Sequence, residues 1–377
     1  MSVSIAAWIG LPAARGLPRT RDRRRPGERP AVRARELGIA IGEGETGPNN
    51  AITDVAGARV GHATLIEGDS VRTGVTVLFP HTGDPAGDPV FAASHRLNGN
   101  GELTGLEWVR ESGLLTSPVG LTNTFSVGVV RDALVAAAPP EPDWHLPVVG
   151  ETYDGFLNDI RGMHVRSSHV DEAIAAAAGG PVAEGSVGGG TGMICHGFKG
   201  GIGTASRVVG DHVVGVLVQA NYGRRPRLRV DGLPVGEAIG ERIPLPAPGV
   251  EGAGSIIGIV GTDAPLIPHQ CERLAQRAAL GVARVGGAGE HSSGDLFLAY
   301  ATGNRSLAAL EQPGEVKLRM QSYAHANELF YAVIDATEEA ILNALLSAET
   351  MTGRDGNTVY ALDPEVLVET LERLRAR

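Results

Sequence analysis

The dipeptide Gly254-Ser255 has the residue types that self-cleaving serine chemistry requires. In that chemistry the serine hydroxyl attacks the carbonyl of the residue before it, the peptide bond becomes an ester, and water then releases a new N-terminal serine. A glycine ahead of the serine has no Cβ to obstruct the attack and tolerates strained dihedrals. The freed α-amine, with an ordinary pKa of about 7.7–8.0, is a general base for its own hydroxyl near neutral pH. No histidine is then needed. Taken alone, Gly-Ser more often simply opens a strand, so the dipeptide carries the chemistry only with support from its surroundings.

Competing chemistries fail on spacing. The glycine-rich stretch 188–204 contains no Gly-x-x-x-x-Gly-Lys-Ser/Thr, because Thr204 follows Lys199 by five positions, and it lacks the last glycine of a dinucleotide fingerprint. Its glycines read as tight turns and close packing. His62, His95, His164, His196 and His291 are scattered, with no His-x-x-x-His pair at zinc spacing. Cys195 and Cys271 form neither a disulfide framework nor a metal motif. No Gly-x-Ser-x-Gly elbow occurs. The expectation is an enzyme with no cofactor and no metal.

These residues must be held by regular structure. Segments 74–79, 90–94, 125–130, 212–219, 255–260 and 295–301 are rich in β-branched and apolar residues and read as strands, several buried on both faces. Segments 171–178, 268–285, 322–348 and 364–375 read as helices; Leu274, Ala278 and Val282 recur at helical spacing, and Asp363 ahead of Pro364 is a cap followed by a first-turn proline. Strands and helices do not alternate strictly, which predicts a layered α+β fold over a doubly wound parallel sheet. The Pro/Gly-rich stretch 243–254 is the main internal break, and it runs directly into the apolar segment that begins at Ser255.

The 377 residues, 42% hydrophobic and 20% charged, suffice for a sizeable core, and 53 glycines with 4% aromatics point to many tight turns. The net charge of −10 is uneven. Residues 1–35 carry nine arginines against Asp22 and Glu28, so the rest is more acidic than the whole. An acidic body argues against nucleic acid as partner. Residues 1–35 are expected to be a disordered extension, with the fold starting near Leu37. The apolar stretch 5–11 precedes the charges, the reverse of a secretory signal, and no run of about 18 apolar residues offers a membrane span. A cytoplasmic protein without membrane contact is expected.

The surroundings of Ser255 supply the missing support. Residues 254–270, Gly-Ser-Ile-Ile-Gly-Ile-Val-Gly-Thr-Asp-Ala-Pro-Leu-Ile-Pro-His-Gln, closely resemble the start of the small subunit in the L-aminopeptidase/D-esterase and β-aminopeptidase family. Further blocks match the same family in the same order: 50–57 with Val60-Gly-His62, Gly150-Glu-Thr-Tyr-Asp-Gly155 with Leu157-Asn-Asp159, 188–203, Val218-Gln-Ala-Asn-Tyr-Gly223, and Ser292-Ser-Gly-Asp-Leu-Phe297. The resemblance runs from about residue 35 to the end. It implies a four-layer αββα sandwich, similar to N-terminal-nucleophile hydrolases but differently connected, forming one domain over 36–377 that self-cleavage divides into 36–254 and 255–377.

Carried over position by position, the resemblance implies Ser255 as nucleophile and Gly254 as the residue before the cut. Asn221 resembles the oxyanion-hole amide, and Tyr153 the aromatic beside the pocket whose hydroxyl helps hold the oxyanion. Ser293 and Asp295 resemble the polar pair beside the nucleophile. Relatives carry glutamate as well as aspartate at the Asp295 position. Glu151 resembles the carboxylate that holds the substrate's free ammonium, a recognition that excludes internal peptide bonds.

The implied function is a self-processing serine aminopeptidase, amidase or esterase acting on small peptides, amides or esters with a free amine, as a homo-oligomer of cleaved pairs. Two alternatives stand beside it. One is acyl transfer of the ornithine acetyltransferase type, disfavoured because those enzymes use threonine. The other is release of N-terminal β-amino acids. Tyr153, where β-aminopeptidases of the family carry tryptophan, tilts the choice toward α-residues.

Overall fold

In the computed structural model, which describes residues 32–141, 144–246 and 254–377, two β-sheets stack face to face between two helical layers. One sheet has the order β1-β2-β5-β6, formed by β1 (Arg59–Glu67), β2 (Val71–Phe79), β5 (Val119–Asn123) and β6 (Val148–Thr152). The other has the order β4-β3-β12-β11-β10-β9, formed by β3 (Val90–Arg96), β4 (Leu114–Leu115), β9 (Gly201–Val209), β10 (His212–Asn221), β11 (Ser255–Thr262) and β12 (Asp295–Ala301). A short hairpin, β7 (Ile194–Cys195) with β8 (Phe198–Lys199), precedes β9. The helices are α1 (Leu106–Ser112), α2 (Val127–Ala137), α3 (Ser167–Ala175), α4 (Val235–Ile239), α5 (Pro268–Arg284), α6 (Ala326–Leu346) and α7 (Pro364–Arg375).

The layers follow from which face of each element is apolar. Ile257 and Ile259 of β11 meet Leu78, Leu121 and Val148 of the smaller sheet in the inter-sheet core. Ile256 and Val260, the alternate residues of the same strand, meet Leu274 and Ala278 of α5 and Val333, Ala336 and Ala340 of α6. Helices α2 and α3 cover the outer face of the smaller sheet, with Val130, Leu134 and Val170 against Val75 and Val77. All eight residues of β11 are buried, so this strand lies inside two cores at once. Each fully buried Ile or Val there contributes about 1.5–3 kcal/mol relative to exposure. The expected αββα sandwich is the observed architecture.

Several expectations are corrected. Segment 125–130, read as a strand, is a 3-10 turn at Thr124–Ser126 followed by α2. A six-residue apolar window cannot separate the two periods, and the Asn123 side chain, accepting from the Phe125 amide, turns the chain into a helix. Helix α3 starts at Ser167 and α6 at Ala326, the latter behind a 3-10 turn at Tyr323–His325. The fold begins before Leu37. The Arg33 guanidinium reaches the carbonyls of Asn50 and Thr204 and pairs with Glu184, while Arg35 pairs with the buried Glu339. The rest of the Arg-rich segment, residues 1–31, lies outside the described residues. Among the described residues no helix is long and apolar enough to cross a membrane.

The glycine-rich stretch is packing. A Cβ at Gly203 would meet the Ala340 carbonyl at 1.9 Å, so β9 passes directly beneath α6, and a Cβ at Gly189 would meet the Gln219 side chain at 2.1 Å. Lys199 within it is fully buried, and its Nζ donates to the Gly190 and Gly200 carbonyls at 3.3 and 2.8 Å.

Candidate active site

Three neighbouring strands bring their chemistry to one end of the larger sheet. β11 runs antiparallel to β10 and parallel to β12. Consequently the last residue of β10, Asn221, pairs in register with the first of β11, Ser255, and Asp295 opens β12 opposite Ile256. The two apolar faces of the strands fix this register, because a one-residue slip would exchange the residues packed against the helices with those packed between the sheets.

The Ser255 hydroxyl accepts a hydrogen bond from the Gly294 backbone N–H at 3.0 Å, and Ser255 is buried. On either side of Gly294 stand Ser293 and Asp295. The Ser293 hydroxyl donates to Asp295 Oδ1 at 2.5 Å, and Asn98 Nδ2 donates to Asp295 Oδ2 at 3.1 Å. Burial raises the Asp295 carboxyl above its usual range, with the bonds from Ser293 and Asn98 opposing that rise. The shorter aspartate arm thus reaches Ser293, and the loop amide between them reaches the Ser255 hydroxyl.

Asn221 sits against the Gly254–Ser255 junction. A Cβ on Gly254 would lie 1.7 Å from the Asn221 carbonyl oxygen and 3.1 Å from Asn221 Nδ2, so only glycine fits before Ser255. The Asn221 side chain is held at both ends: Oδ1 accepts from the Ile194 amide at 2.7 Å and Nδ2 donates to the Tyr153 carbonyl at 3.0 Å. Tyr153 therefore touches the amide through its main chain. Its ring is half-exposed and its hydroxyl folds over Gly155, where an added Cβ would stand 2.3 Å away.

Glu151, in β6 of the other sheet, is 2% exposed. Oε1 accepts from the Glu102 amide at 3.0 Å, and Oε2 accepts from the Thr124 hydroxyl. Burial pushes its carboxyl above the ordinary 4.5; the Thr124 and Glu102 donors act against this, and the Glu102 carboxylate adds to it. A buried carboxylate held by neutral donors has lone pairs suited to a cationic ligand.

The sequence-based reading found the strand-end residues and missed those that hold them: Gly294, Thr124, and Asn98, Asn100, Gly101 and Glu102. The last four lie in Asn98-Gly-Asn-Gly-Glu102, an alternation of turn-forming residues directly after β3 that was a readable loop signal. Burial drives His62 and His196 down to about 4, keeping both neutral at pH 7. Among the described residues no cluster of three or more His, Cys, Asp or Glu is placed to hold a metal.

Known proteins share this architecture. Over 369 residues the chain is 46% identical to the β-peptidyl aminopeptidase BapA of Sphingosinicella microcystinivorans, covering 91% of this chain and 92% of that protein. The structure superposes on a Burkholderia sp. β-aminopeptidase with a TM-score of 0.86 at 54% identity, over 92% of this chain and 100% of the other. It also matches the L-aminopeptidase D-Ala-esterase/amidase of Ochrobactrum anthropi, described as a prototype for the serine aminopeptidases and a variant of the Ntn hydrolase fold, with a TM-score of 0.83 at 42% identity, over 90% and 98% of the two chains. Peptidase family S58 matches residues 50–359. With this degree of likeness over nearly its whole length, the chain belongs to peptidase family S58.

Proposed function

We propose that the chain cuts itself between Gly254 and Ser255 and that the freed Ser255 then releases N-terminal residues from small peptides, amides or esters. The observation that carries this reading is the junction itself. A serine hydroxyl held by the Gly294 amide begins a central strand, directly after a glycine that only glycine can replace, beside the Asn221 amide. In the first step Ser255 Oγ bonds to the Gly254 carbonyl carbon, the Gly254–Ser255 C–N bond breaks, and the Ser255 nitrogen takes up the proton. Water then hydrolyses the ester. In turnover the free amine takes the hydroxyl proton, Oγ attacks the substrate carbonyl, the leaving amine departs protonated, and water releases the acid. The Asn221 amide faces the developing oxyanion, a contribution of about 10²–10³ in rate for such a donor. Glu151 holds the substrate ammonium, and the Ser293–Asp295 pair orients the nucleophile's loop.

The favoured acyl group is an N-terminal β-amino acid, supported by the two relatives above that are named for β-peptides. This outweighs the tilt toward α-residues drawn from Tyr153. No relative above is named as an acyltransferase. The oligomer of cleaved pairs belongs to the same proposal; Leu280 and Tyr331, more than half exposed on the outer helices, offer apolar surface for it, and light scattering tests it.

Intact mass and N-terminal sequencing test the reading directly. Purified protein is expected as two chains, the second beginning Ser-Ile-Ile-Gly, and Ser255→Ala as one inert chain. A wild-type chain that stays whole yet hydrolyses aminoacyl anilides excludes the free amine as base. A whole and inert chain excludes the hydrolase.

A further inference from the structure

A single five-residue segment, Asn98-Gly-Asn-Gly-Glu102, touches both halves of the site. At its start, Asn98 grips Asp295 twice: Nδ2 donates to Oδ2 at 3.1 Å, and Oδ1 accepts the Asp295 amide. Next, the Asn100 amide donates to the Ser293 carbonyl at 3.2 Å and its side chain to the Ser292 carbonyl at 2.7 Å. Gly101 then fills the gap between the two halves, since a Cβ there would stand 3.1 Å from the Gly294 Cα and 3.1 Å from Glu151 Oε1. At its end, the Glu102 amide donates to Glu151 Oε1 at 3.0 Å. Gly294 is the residue whose N–H holds the Ser255 hydroxyl. A short covalent segment pinned to the nucleophile's loop at one end and to the buried carboxylate at the other is a spacer of fixed length.

We infer that segment 98–102 sets the distance from the Glu151 carboxylate to the Ser255 hydroxyl and so selects how many backbone carbons separate a substrate's amine from its reacting carbonyl. The inference rests on Glu151 binding the ammonium. An N-terminal α-residue places one carbon between amine and carbonyl, and a β-residue places two, a difference of at most about 1.5 Å, one C–C bond. Misplacement of a reacting group by about 1 Å costs roughly 10²-fold, so a spacer rigid to a few tenths of an ångström discriminates between the two. Gly101 is the point of contact. Its neighbour toward the nucleophile is main chain, which cannot give way, whereas its neighbour toward the clamp is the end of a side chain, which can. Gly101 is not among the positive-φ glycines, so alanine is compatible with its backbone. An added methyl therefore moves the Glu151 carboxylate away from Ser255 and lengthens the span.

The test measures kcat/KM for β-alanyl and L-alanyl p-nitroanilides with the wild-type enzyme and with Gly101→Ala, Asn100→Ala and Glu151→Gln. The β-to-α ratio within one variant cancels any general loss at the nucleophile. Gly101→Ala is expected to raise that ratio about fivefold or more. Asn100→Ala, which frees the Ser292 tether without adding bulk, brings the ratio closer to one and carries the test if Gly101→Ala does not fold. Ratios within about twofold of wild type in both variants overturn the spacer. Glu151→Gln separates the two layers of the argument. A loss confined to free-amine substrates together with unmoved ratios removes the spacer alone. Equal loss on an N-acetylated ester removes the ammonium clamp, and the spacer with it.

Discussion

Asn221 and Ser255 face each other as register partners across the antiparallel β10–β11 pair. That register, together with the hydrogen bonds at both ends of the Asn221 side chain, sets the amide against the junction. Asn221→Ala is expected to slow both the cut and turnover by about 10²–10³, the usual loss of one oxyanion donor. Gly254→Ala is expected to remain a single chain, because its methyl collides with the Asn221 carbonyl. Mass spectrometry over a time course reads both; a Gly254→Ala protein that cuts at the wild-type rate removes the steric argument.

The Thr124 hydroxyl donates to Glu151 against a burial that raises the carboxyl. Removing that donor raises it further, so the carboxylate ionises only at higher pH. With Thr124→Val the acid limb of kcat/KM for a free-amine substrate is expected to move to higher pH, chiefly through KM, and Thr124→Ser to restore it. Superimposable acid limbs for wild type and Thr124→Val would show that the hydroxyl has no part in tuning the clamp.

Asp154 is fully buried, and burial pushes its carboxyl from 3.8 up to about 7, with hydrogen bonding to Thr73, Asn158 and Asn123 opposing. A folded-state value above the unfolded one means that folding takes up a proton. This contribution to stability is complete below about pH 4 and is lost as pH rises through 7. Melting temperatures of Asp154→Asn relative to wild type are expected to rise between pH 5 and pH 8. Parallel curves over that interval would remove Asp154 as a source of pH dependence.

Strong periodicity and strand-end position were legible in the sequence; partnership across the fold was not. β12 and α7 occupy the expected residues, and Asp363 caps α7 through the amides of Glu365 and Val366. β9 was hidden because its glycines read as turns, whereas in the fold they let the strand lie under α6. β6 was hidden because five residues ending in Glu-Thr lack an apolar pattern, although all five are buried. Ser255, Asn221, Ser293, Asp295 and Glu151 were nameable through the family blocks. Thr124 and Asn98 were not, since each matters only through a carboxylate brought to it by the stacking and pairing of distant strands.

The strand order of the larger sheet has a consequence for the life of the molecule. β11 and β12 lie side by side at its centre, with β3 and β10 on their flanks. A cut ahead of Ser255 gives the middle of the sheet to one polypeptide and both flanks to the other, and the buried Glu339 of the second fragment remains paired with Arg35 and Arg207 of the first. Fragments made by the proposed cut would be interlaced and could not part without unfolding. Assembly that began as the collapse of one tethered chain becomes, on refolding, an encounter of two solutes that depends on their concentration. The proposed cut would thereby act as a ratchet: the cleaved enzyme would persist through slow unfolding, and its refolding from denaturant would no longer repeat the route by which it was made.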